Sequence, residues 1–360
     1  MSAINSVSDM KPITCTPRNI IAAALLALSF SSCYKDLELP GGTGPKKIAL
    51  LGEFVAGDSL LLRAGQSIAI SKSSALRLQL IENLSISIQD SNTGNNYTMT
   101  GKNDAFSTLL FTTPFTTNYA GIAGHTYLVT AVHPSLGTAT ARVRIPTAIQ
   151  AQVIDTETSG YLYDAMLKIK VRINDPGAAR NYYIMEAVKQ QMYVYGFFQH
   201  NGNWLPIEYN RDLYDQYKAA GTAVERFDTT YKEELIRLPV YTTDPNTENM
   251  GLKGPLTASK RILLKDKRFN GNSYETTVQI ALNNYQLGGE VIKGRVLFSV
   301  KSVPEEYFHF LKSYELSDPS VTYNSYDQPV KIEGNINNGT GVLGGVSQAR
   351  YTYYLDKWEF

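Results

Sequence analysis

The stretch Leu167-Lys168-Ile169-Lys170-Val171-Arg172-Ile173 carries an apolar residue at every second position. Because successive side chains of a β-strand point to opposite faces of the sheet, this alternation predicts a strand with one face in a core and one in water. Leu84-Ser85-Ile86-Ser87-Ile88 has the same period much earlier in the chain. Strands of this kind, far apart in the sequence, favour an all-β fold.

The composition of the 360-residue chain favours the same class. Its 24 tyrosines and 13 phenylalanines suit half-buried strands, and its 27 glycines suit tight turns. Lys and Arg number 34 against 33 Asp and Glu, so the chain has no overall field that would attract a polyanion. We therefore expect no nucleic-acid partner.

Turn signals divide the body of the chain into two modules. Alternating segments separated by turn-rich stretches continue up to Pro146, which predicts a small β-sandwich at residues 47–148. A second β-rich, sandwich-like domain is predicted at residues 149–360, interrupted by an irregular insertion at about 204–256.

One short helix is predicted near the C-terminus. Pro304 suits the first turn of a helix, and the acidic Glu305 and Glu306 lie near its positive end. The residues expected on its apolar stripe are Tyr307, Phe310, Leu311 and Tyr314. We expect this stripe to pack on the sheet.

Residues 1–32 have the pattern of an export signal. Lys11 and Arg18 precede an apolar run at residues 20–28, and small residues lead into Cys33. The run is about half of the ~20 residues that a membrane-spanning helix needs. We predict a signal peptide that is removed just before Cys33.

Phe30-Ser31-Ser32-Cys33 resembles a loose bacterial lipobox, whose cysteine becomes the lipidated first residue of the mature chain. Each buried methylene of an acyl chain contributes about 0.8 kcal/mol, so several chains on Cys33 would hold the protein at a membrane. A soluble secreted product is the alternative. Lys35, Asp36 and Glu38 resemble the export signal that sends Bacteroidota lipoproteins to the outer face of the outer membrane, and an ordinary charged juncture is the alternative for them.

The segment at residues 33–46 is predicted to be a lipidated cysteine followed by a flexible tether. Pro40-Gly41-Gly42-Thr43-Gly44-Pro45 supplies the composition of such a linker. Cys15 is the other cysteine of the chain, and removal of the signal peptide would discard it. We therefore expect no intrachain disulfide in the mature protein.

The sequence carries no recognisable catalytic or metal-binding signature. Its four histidines, His125, His133, His200 and His309, show no metal-ligand spacing, and no Gly-x-Ser-x-Gly elbow occurs. We predict no catalytic residue, no metal site and no cofactor. Paired carboxylates can come from any strand, so a glycan-active enzyme stays an alternative.

Gly339-Thr340-Gly341-Val342-Leu343-Gly344 formally matches the dinucleotide-binding pattern Gly-x-Gly-x-x-Gly. That fingerprint opens a helix within a βαβ unit, whereas here the strand-like run Tyr351-Thr352-Tyr353-Tyr354 follows. We predict a tight turn before the last strand.

Tyr193, Tyr195 and Phe197 belong to the densest aromatic stretch of the chain. Alternation would place all three on one face of a strand. If that face is exposed, the rings could stack on a ligand or grip a partner, so we regard them as candidate ligand-binding residues. Packing in a core is the alternative interpretation.

The outward row of the first quoted strand is basic. Lys168, Lys170 and Arg172 fit an ordinary solvated sheet face, with a patch for anionic sugar or lipid headgroups as the alternative. No site is assigned to this row.

Several segments, in order along the chain, carry a family likeness. They are Cys33-Tyr34-Lys35-Asp36, Asn174-Asp175-Pro176, Asn181-Tyr182-Tyr183, residues 266–271, the helix at 302–315, and residues 329–336 and 338–344. Together they resemble a family of Bacteroidota outer-membrane lipoproteins known as domain of unknown function 4249. Leu343 departs from the family pattern, which has an aromatic residue or Ile there.

The resemblance implies an N-terminal immunoglobulin-like β-sandwich followed by a second β-rich domain. It also implies a lipid-anchored, surface-exposed outer-membrane protein that acts as an accessory of a TonB-dependent receptor, because the family's genes often lie beside such receptors. The resemblance does not identify what is bound, and a glycan and a peptide are the two ligand classes considered. The family has no established activity, so no catalytic residue is carried over. A glycan-active enzyme and a structural envelope or adhesion protein are the alternatives.

Overall fold

The computed structural model describes residues 45–67, 78–104, 107, 111–160, 165–177, 179–248, 260–282, 294–317, 332 and 334–355. The predicted signal peptide and the anchor and export residues Cys33, Lys35, Asp36 and Glu38 lie outside this range. The described part is all-β with two short helices, and it belongs to one structural unit. Neither helix is long and apolar enough to cross a membrane.

Seven strands build the first module around a single core. They are β1 (Ile48–Val55), β2 (Ser59–Gln66), β3 (Ser85–Asp90), β4 (Asn96–Gly101), β5 (Thr113–Ala120), β6 (Thr126–His133) and β7 (Gly137–Arg144). The strands pair in the order β1-β2-β5-β4-β3-β6-β7, and all seven contribute side chains to the same apolar cluster. The predicted alternation in β3 is confirmed, because Ile86 and Ile88 are fully buried between exposed serines.

The second module contains eleven strands and two helices. They are β8 (Gln150–Ser159), β9 (Met166–Asn174), β10 (Tyr182–His200), β11 (Asn203–Pro206), α1 (Arg211–Ala219), β12 (Glu225–Leu238), β13 (Val240–Tyr241), β14 (Ile262–Lys265), β15 (Ser273–Ala281), β16 (Gly294–Val303), α2 (Glu305–Ser317), β17 (Ile336–Asn337) and β18 (Thr340–Tyr354). A one-turn 3-10 helix, Asp266–Arg268, follows β14.

Two sheets enclose the core of the second module. The four-stranded sheet β13-β15-β9-β8 packs against β10, β14, β16 and β18. The apolar row of β9, which consists of Leu167, Ile169, Val171 and Ile173, is fully buried in this core. The sandwich-like all-β class is therefore confirmed.

Strand β18 belongs to both modules. Its first half pairs in parallel with β1, from Thr340 to Val346, and its second half pairs antiparallel with β16, from Ser347 to Tyr354. The Gly-x-Gly-x-x-Gly run is thus not a nucleotide loop. The tight turn lies at its start, where Asn338 has a φ of 55°, and the remainder of the run is strand.

The predicted C-terminal helix is present as α2, which begins directly after Pro304. Its buried face consists of Tyr307, Phe308 and Leu311, which pack between β10 and β18. The predicted stripe was therefore wrong in part, since Phe310 is only half-buried and Tyr314 is exposed. The buried face of α2 is instead set by the residues of β10, β14 and β18 that pack against Phe308 and Leu311.

Residues 204–248 of the irregular insertion predicted at about 204–256 lie within the described part, and they have regular structure. It contains β11, α1 and β12, and β12 forms a long hairpin with β10. A satellite core of Phe198, Ile207 and Tyr214 holds α1 on the end of this hairpin. Sequence reasoning missed α1 because Tyr214 is its only buried residue, so the helix carries little of the apolar pattern that marks a core-facing helix.

Candidate functional site

A cleft of about 600 Å³ opens between the two modules. Arg142 and Arg144 of β7 line it from the first module. Arg180, from the loop before β10, and Glu305 and Glu306, at the start of α2, line it from the second. Its volume lies in the range of small-molecule sites in proteins.

The two β7 arginines face the cleft because of the strand's alternation. Ala141 and Val143 point into the first core, so Arg142 and Arg144 project from the opposite face and are exposed. Their Cα atoms are roughly 7 Å apart along the strand. The packed core behind them fixes the position of the backbone that carries both side chains.

Asp175 fixes the opposite wall. Its buried carboxylate accepts hydrogen bonds from the backbone N–H of Gly177 at 3.1 Å and of Gly271 at 2.7 Å, and from the Asn181 side chain at 3.1 Å. The Tyr183 hydroxyl is a further donor. Burial, together with the charge and the hydrogen bond of Asp175, raises the pKa of Tyr183, so this phenol stays a neutral donor.

A second buried carboxyl, that of Asp266, holds the loop before β10 that carries Arg180 and Asn181. It accepts the Asn181 backbone N–H at 2.6 Å. Burial raises the pKa of Asp266, and the nearby charge of Asp175 adds to the effect. Three segments that carry the family likeness, residues 174–176, 181–183 and 266–271, therefore meet around these two aspartates.

Glu305 is already bonded within the cleft. The Tyr182 hydroxyl donates to its Oε1 at 2.5 Å, and His309 Nε2 lies 3.5 Å from the same atom. The hydrogen bond from Tyr182 lowers the pKa of Glu305, while burial and Glu305 raise the pKa of Tyr182 to about 12. Glu306 is its neighbour on the same helix, so these two carboxylates do not face each other across the cleft.

The last family-like segment closes the end of the cleft. The Asn335 side chain accepts the Leu343 backbone N–H at 2.9 Å and donates to the Leu343 carbonyl at 2.7 Å. Asn335, Leu343 and Gly345 all line the cleft. Both the oxygen and the nitrogen of the Asn335 side chain are thus hydrogen-bonded, and these bonds stabilise the turn between β17 and β18.

A buried ionic network lies between α2 and the sheet. Lys301 Nζ lies 2.7 Å from both Glu53 and Glu186, and Arg261 lies 3.3 Å from Glu186 and 2.7 Å from Glu315. Arg237 is also paired with Glu186. Burial alone would raise the pKa of Glu186, but these cations outweigh it and lower that pKa to about 2.

The candidate aromatic residues have different outcomes. The backbone of Tyr193 lies in β10, but its side chain lies outside the described part of the chain. Tyr195 is 44 % exposed, and the half-buried Phe197 has the Arg226 guanidinium 4.8 Å from its ring centroid. Arg226 also lies 5.0 Å from the Trp204 ring centroid. Tyr195, Phe197 and Trp204 form a surface at the end of the hairpin, which we call the aromatic tip.

The basic row on β9 has the features of a solvated sheet face. Lys168 pairs with Glu157 at 3.2 Å, and both Lys170 and Arg172 pair with Glu275, at 2.7 and 2.5 Å. Two carboxylates thus compensate this row.

Sequence reasoning missed the three arginines of the cleft. The signal available was Arg142 and Arg144 at alternate positions of one strand, which is equally typical of any solvated face. What distinguishes them is the wall opposite, and only the tertiary structure brings Arg180 there.

Comparison with known proteins gives one result. A family model described as Domain of unknown function (DUF4249) matches residues 37–352. Among curated proteins, none matches the chain. Within the described residues, no group of three or more His, Cys, Asp or Glu side chains could hold a metal ion.

Proposed function

This chain belongs to the family described as Domain of unknown function (DUF4249), and from that premise we propose that it is a lipid-anchored accessory of an outer-membrane receptor. In this proposal Cys33 carries the lipid, and Lys35, Asp36 and Glu38 direct the protein to the cell surface. The folded body binds a partner or a ligand there without catalysing a reaction. The partner is a TonB-dependent receptor.

The sequence around Cys33 supports the anchor. Small residues and an apolar run precede this cysteine, and the matched family region begins just after it. A tether of about a dozen residues would then let the folded body reach a neighbouring membrane protein.

The exposed aromatic tip is the observation that carries the binding role. Tyr195 is 44 % exposed and Trp204 is 39 % exposed, and Arg226 lies against Phe197 and Trp204. Tyr, Trp and Arg are the residue types enriched among the energetically dominant residues of protein interfaces. Rings at the far end of a long hairpin are well placed to contact an extracellular loop of a receptor.

The geometry of the cleft supports binding rather than glycan hydrolysis. Glycosidases place two carboxyl groups on either side of the scissile bond, about 5 to 9.5 Å apart. Glu305 and Glu306 are consecutive residues of one helix, and Glu305 already accepts a hydrogen bond from Tyr182. A binding role is therefore favoured over the glycan-active alternative.

Mass spectrometry of the mature protein, natively expressed, tests the anchor. We expect an N-terminus at Cys33 with acyl groups attached. We also expect the Cys33→Ala variant protein to be absent from the membrane fraction. A mature N-terminus elsewhere, or a free thiol at Cys33, would contradict the proposal. Surface exposure is tested by protease treatment of intact cells, which should degrade the body.

Affinity purification from gently solubilised membranes tests the partnership. We expect an outer-membrane barrel to co-purify with the tagged protein and to be lost with the double substitution Tyr195→Ala and Trp204→Ala. Tyr209→Ala is the matched control, because Tyr209 is 79 % exposed but lies outside the tip. Absence of any barrel, or equal loss with the control, would reject the receptor role.

A further inference from the structure

We propose that the cleft between the two modules binds the anionic group of a saccharide through Arg142, Arg144 and Arg180. This site is separate from the aromatic tip. The inference holds whether or not the protein works beside a receptor, since it rests on the cleft alone.

The charge balance of the cleft favours an anion. Three arginines and two glutamates line it, and the Glu305 carboxylate is engaged by Tyr182 and His309. Within the described residues, neither Arg142 nor Arg144 forms an ion pair or a side-chain hydrogen bond. A guanidinium offers a planar fork of donors that matches carboxylate or sulfate oxygens.

The basic row on β9 provides the contrast. Arg172 also projects from the solvent face of a strand, with 41 % of its side chain exposed, yet it lies 2.5 Å from Glu275, which neutralises it. In the cleft, positive charge instead faces an open concave space.

The other lining groups suit a sugar. The amides of Asn181 and Asn335 already bind Asp175 and Leu343, and the other hydroxyl and amide side chains at the cleft are Thr126, Thr147, Ser302 and Asn337. Such groups can donate to and accept from the hydroxyls of a sugar ring. A cleft of about 600 Å³ has room for a short oligosaccharide.

The arginines are held on rigid supports. β7 is fixed by the first core, and the loop that carries Arg180 is tied down by the hydrogen bonds of Asp175 to Gly177, Gly271 and Asn181. A preformed site loses little conformational freedom on binding. The cleft is therefore organised before the ligand arrives.

Isothermal titration calorimetry with the full-length protein in detergent micelles tests the site. The probes are trigalacturonic acid, its methyl ester and a sulfated trisaccharide derived from carrageenan. We expect at least one anionic probe to bind at least about tenfold more tightly than the neutral ester, which is the effect of about one charge-assisted contact. The tighter of the two anionic probes identifies the acidic group.

Substitutions connect binding to the cleft. The pair Arg142→Gln and Arg144→Gln, and separately Arg180→Gln, should each weaken binding of the anionic probe at least about tenfold with an unchanged melting temperature. Arg172→Gln is the matched control and should bind as the wild type does. None of these substitutions should affect co-purification of a receptor, which distinguishes failure of this inference from failure of the proposed function.

Besides absence of heat with every probe, three results would overturn the inference. They are failure of both anionic probes to bind more tightly than the neutral ester, equal loss of affinity in Arg172→Gln, and tighter binding of a triglutamate peptide than of either anionic sugar.

Discussion

The ammonium nitrogen of Lys301 lies 2.7 Å from a carboxylate oxygen of Glu53, which joins β16 of the second module to β1 of the first. Lys301 lies equally close to Glu186, and only 8 % of its side chain is exposed. The Tyr307 hydroxyl donates to the other oxygen of Glu53 at 2.8 Å, so α2 takes part in the same junction. Together with the shared strand β18, these bonds fix the relation between the modules on which the cleft depends.

Lys301→Met should strongly destabilise the protein. Removal of one partner from a buried ion pair costs about 3–5 kcal/mol of unfolding free energy, and we expect the lower end here because Arg237 and Arg261 still pair with Glu186. Urea denaturation measures the change. Lys168→Met is the control, because the Lys168–Glu157 pair is exposed and such pairs contribute about 1 kcal/mol or less. Similar losses in the two variants would contradict a special role for the junction.

Acid should weaken the fold through Glu186. The pKa of Glu186 is lowered from 4.5 to about 2, so the folded state favours its ionised form more than the unfolded state does. Its contribution is therefore complete above about pH 5 and is lost as the pH falls towards 2, amounting to about 3 kcal/mol. Unfolding free energies measured between pH 6 and pH 2 should show this loss.

The variant Glu186→Gln tests whether Glu186 causes the loss of stability at low pH. It should be less stable than the wild type at neutral pH, because Lys301, Arg237 and Arg261 lose their common anion. Its stability should fall less steeply between pH 5 and pH 2. An unchanged slope would assign the acid sensitivity to other carboxyls.

Lys189→Met should stabilise the protein. Lys189 is only 3 % exposed, lies opposite the buried Val296 in β16, and forms no ion pair or hydrogen bond within the described residues. Burial lowers the pKa of Lys189, so the unfolded state binds its proton more tightly and stability should rise with pH towards 10. The methionine variant should melt at a higher temperature at pH 7 and should lack that rise. A lower melting temperature would indicate a partner for the ammonium.

Local periodicity predicted the strands but not which of their polar residues are buried. Lys168 and Lys301 both follow the alternating pattern expected of an outward side chain. Lys168 is solvated, whereas α2 covers the face of β16 that carries Lys301, so almost all of that strand is buried. Alternation identifies the apolar side of a strand, but not whether a later element covers its polar side.

Local sequence patterns also did not predict which distant strands pair with each other. Strand β18 pairs with β1, nearly the whole length of the chain away, and no residue of either strand signals this partner. Local sequence patterns do not predict the cleft either, because Arg144 and Arg180 come together only through the packing of two modules. The family likeness did identify the segments around Asp175, Asn335 and α2, and these all lie at or beside the cleft.

Gly345→Ala should separate the two strands that meet at the cleft. A Cβ atom at Gly345 would lie 1.9 Å from the carbonyl oxygen of Arg144 and 2.8 Å from the backbone nitrogen of Ile145. Both are backbone atoms of a core-anchored segment, so β7 or β18 must move. Overpacking of this kind costs about 1–3 kcal/mol and occasionally more, and we expect the upper end. Thermal unfolding and binding of the anionic probe should both be impaired, since Arg144 is displaced with its backbone.

Gly94→Asn is the control for this substitution. Gly94 has a φ of +78°, with open space where a Cβ atom would lie, and Asn tolerates this left-handed conformation better than most residues. It should therefore keep nearly wild-type stability and affinity. A Gly345→Ala variant as stable as Gly94→Asn would mean that β18 and β7 are not in backbone contact, and the cleft would then lack the rigid wall that positions its arginines.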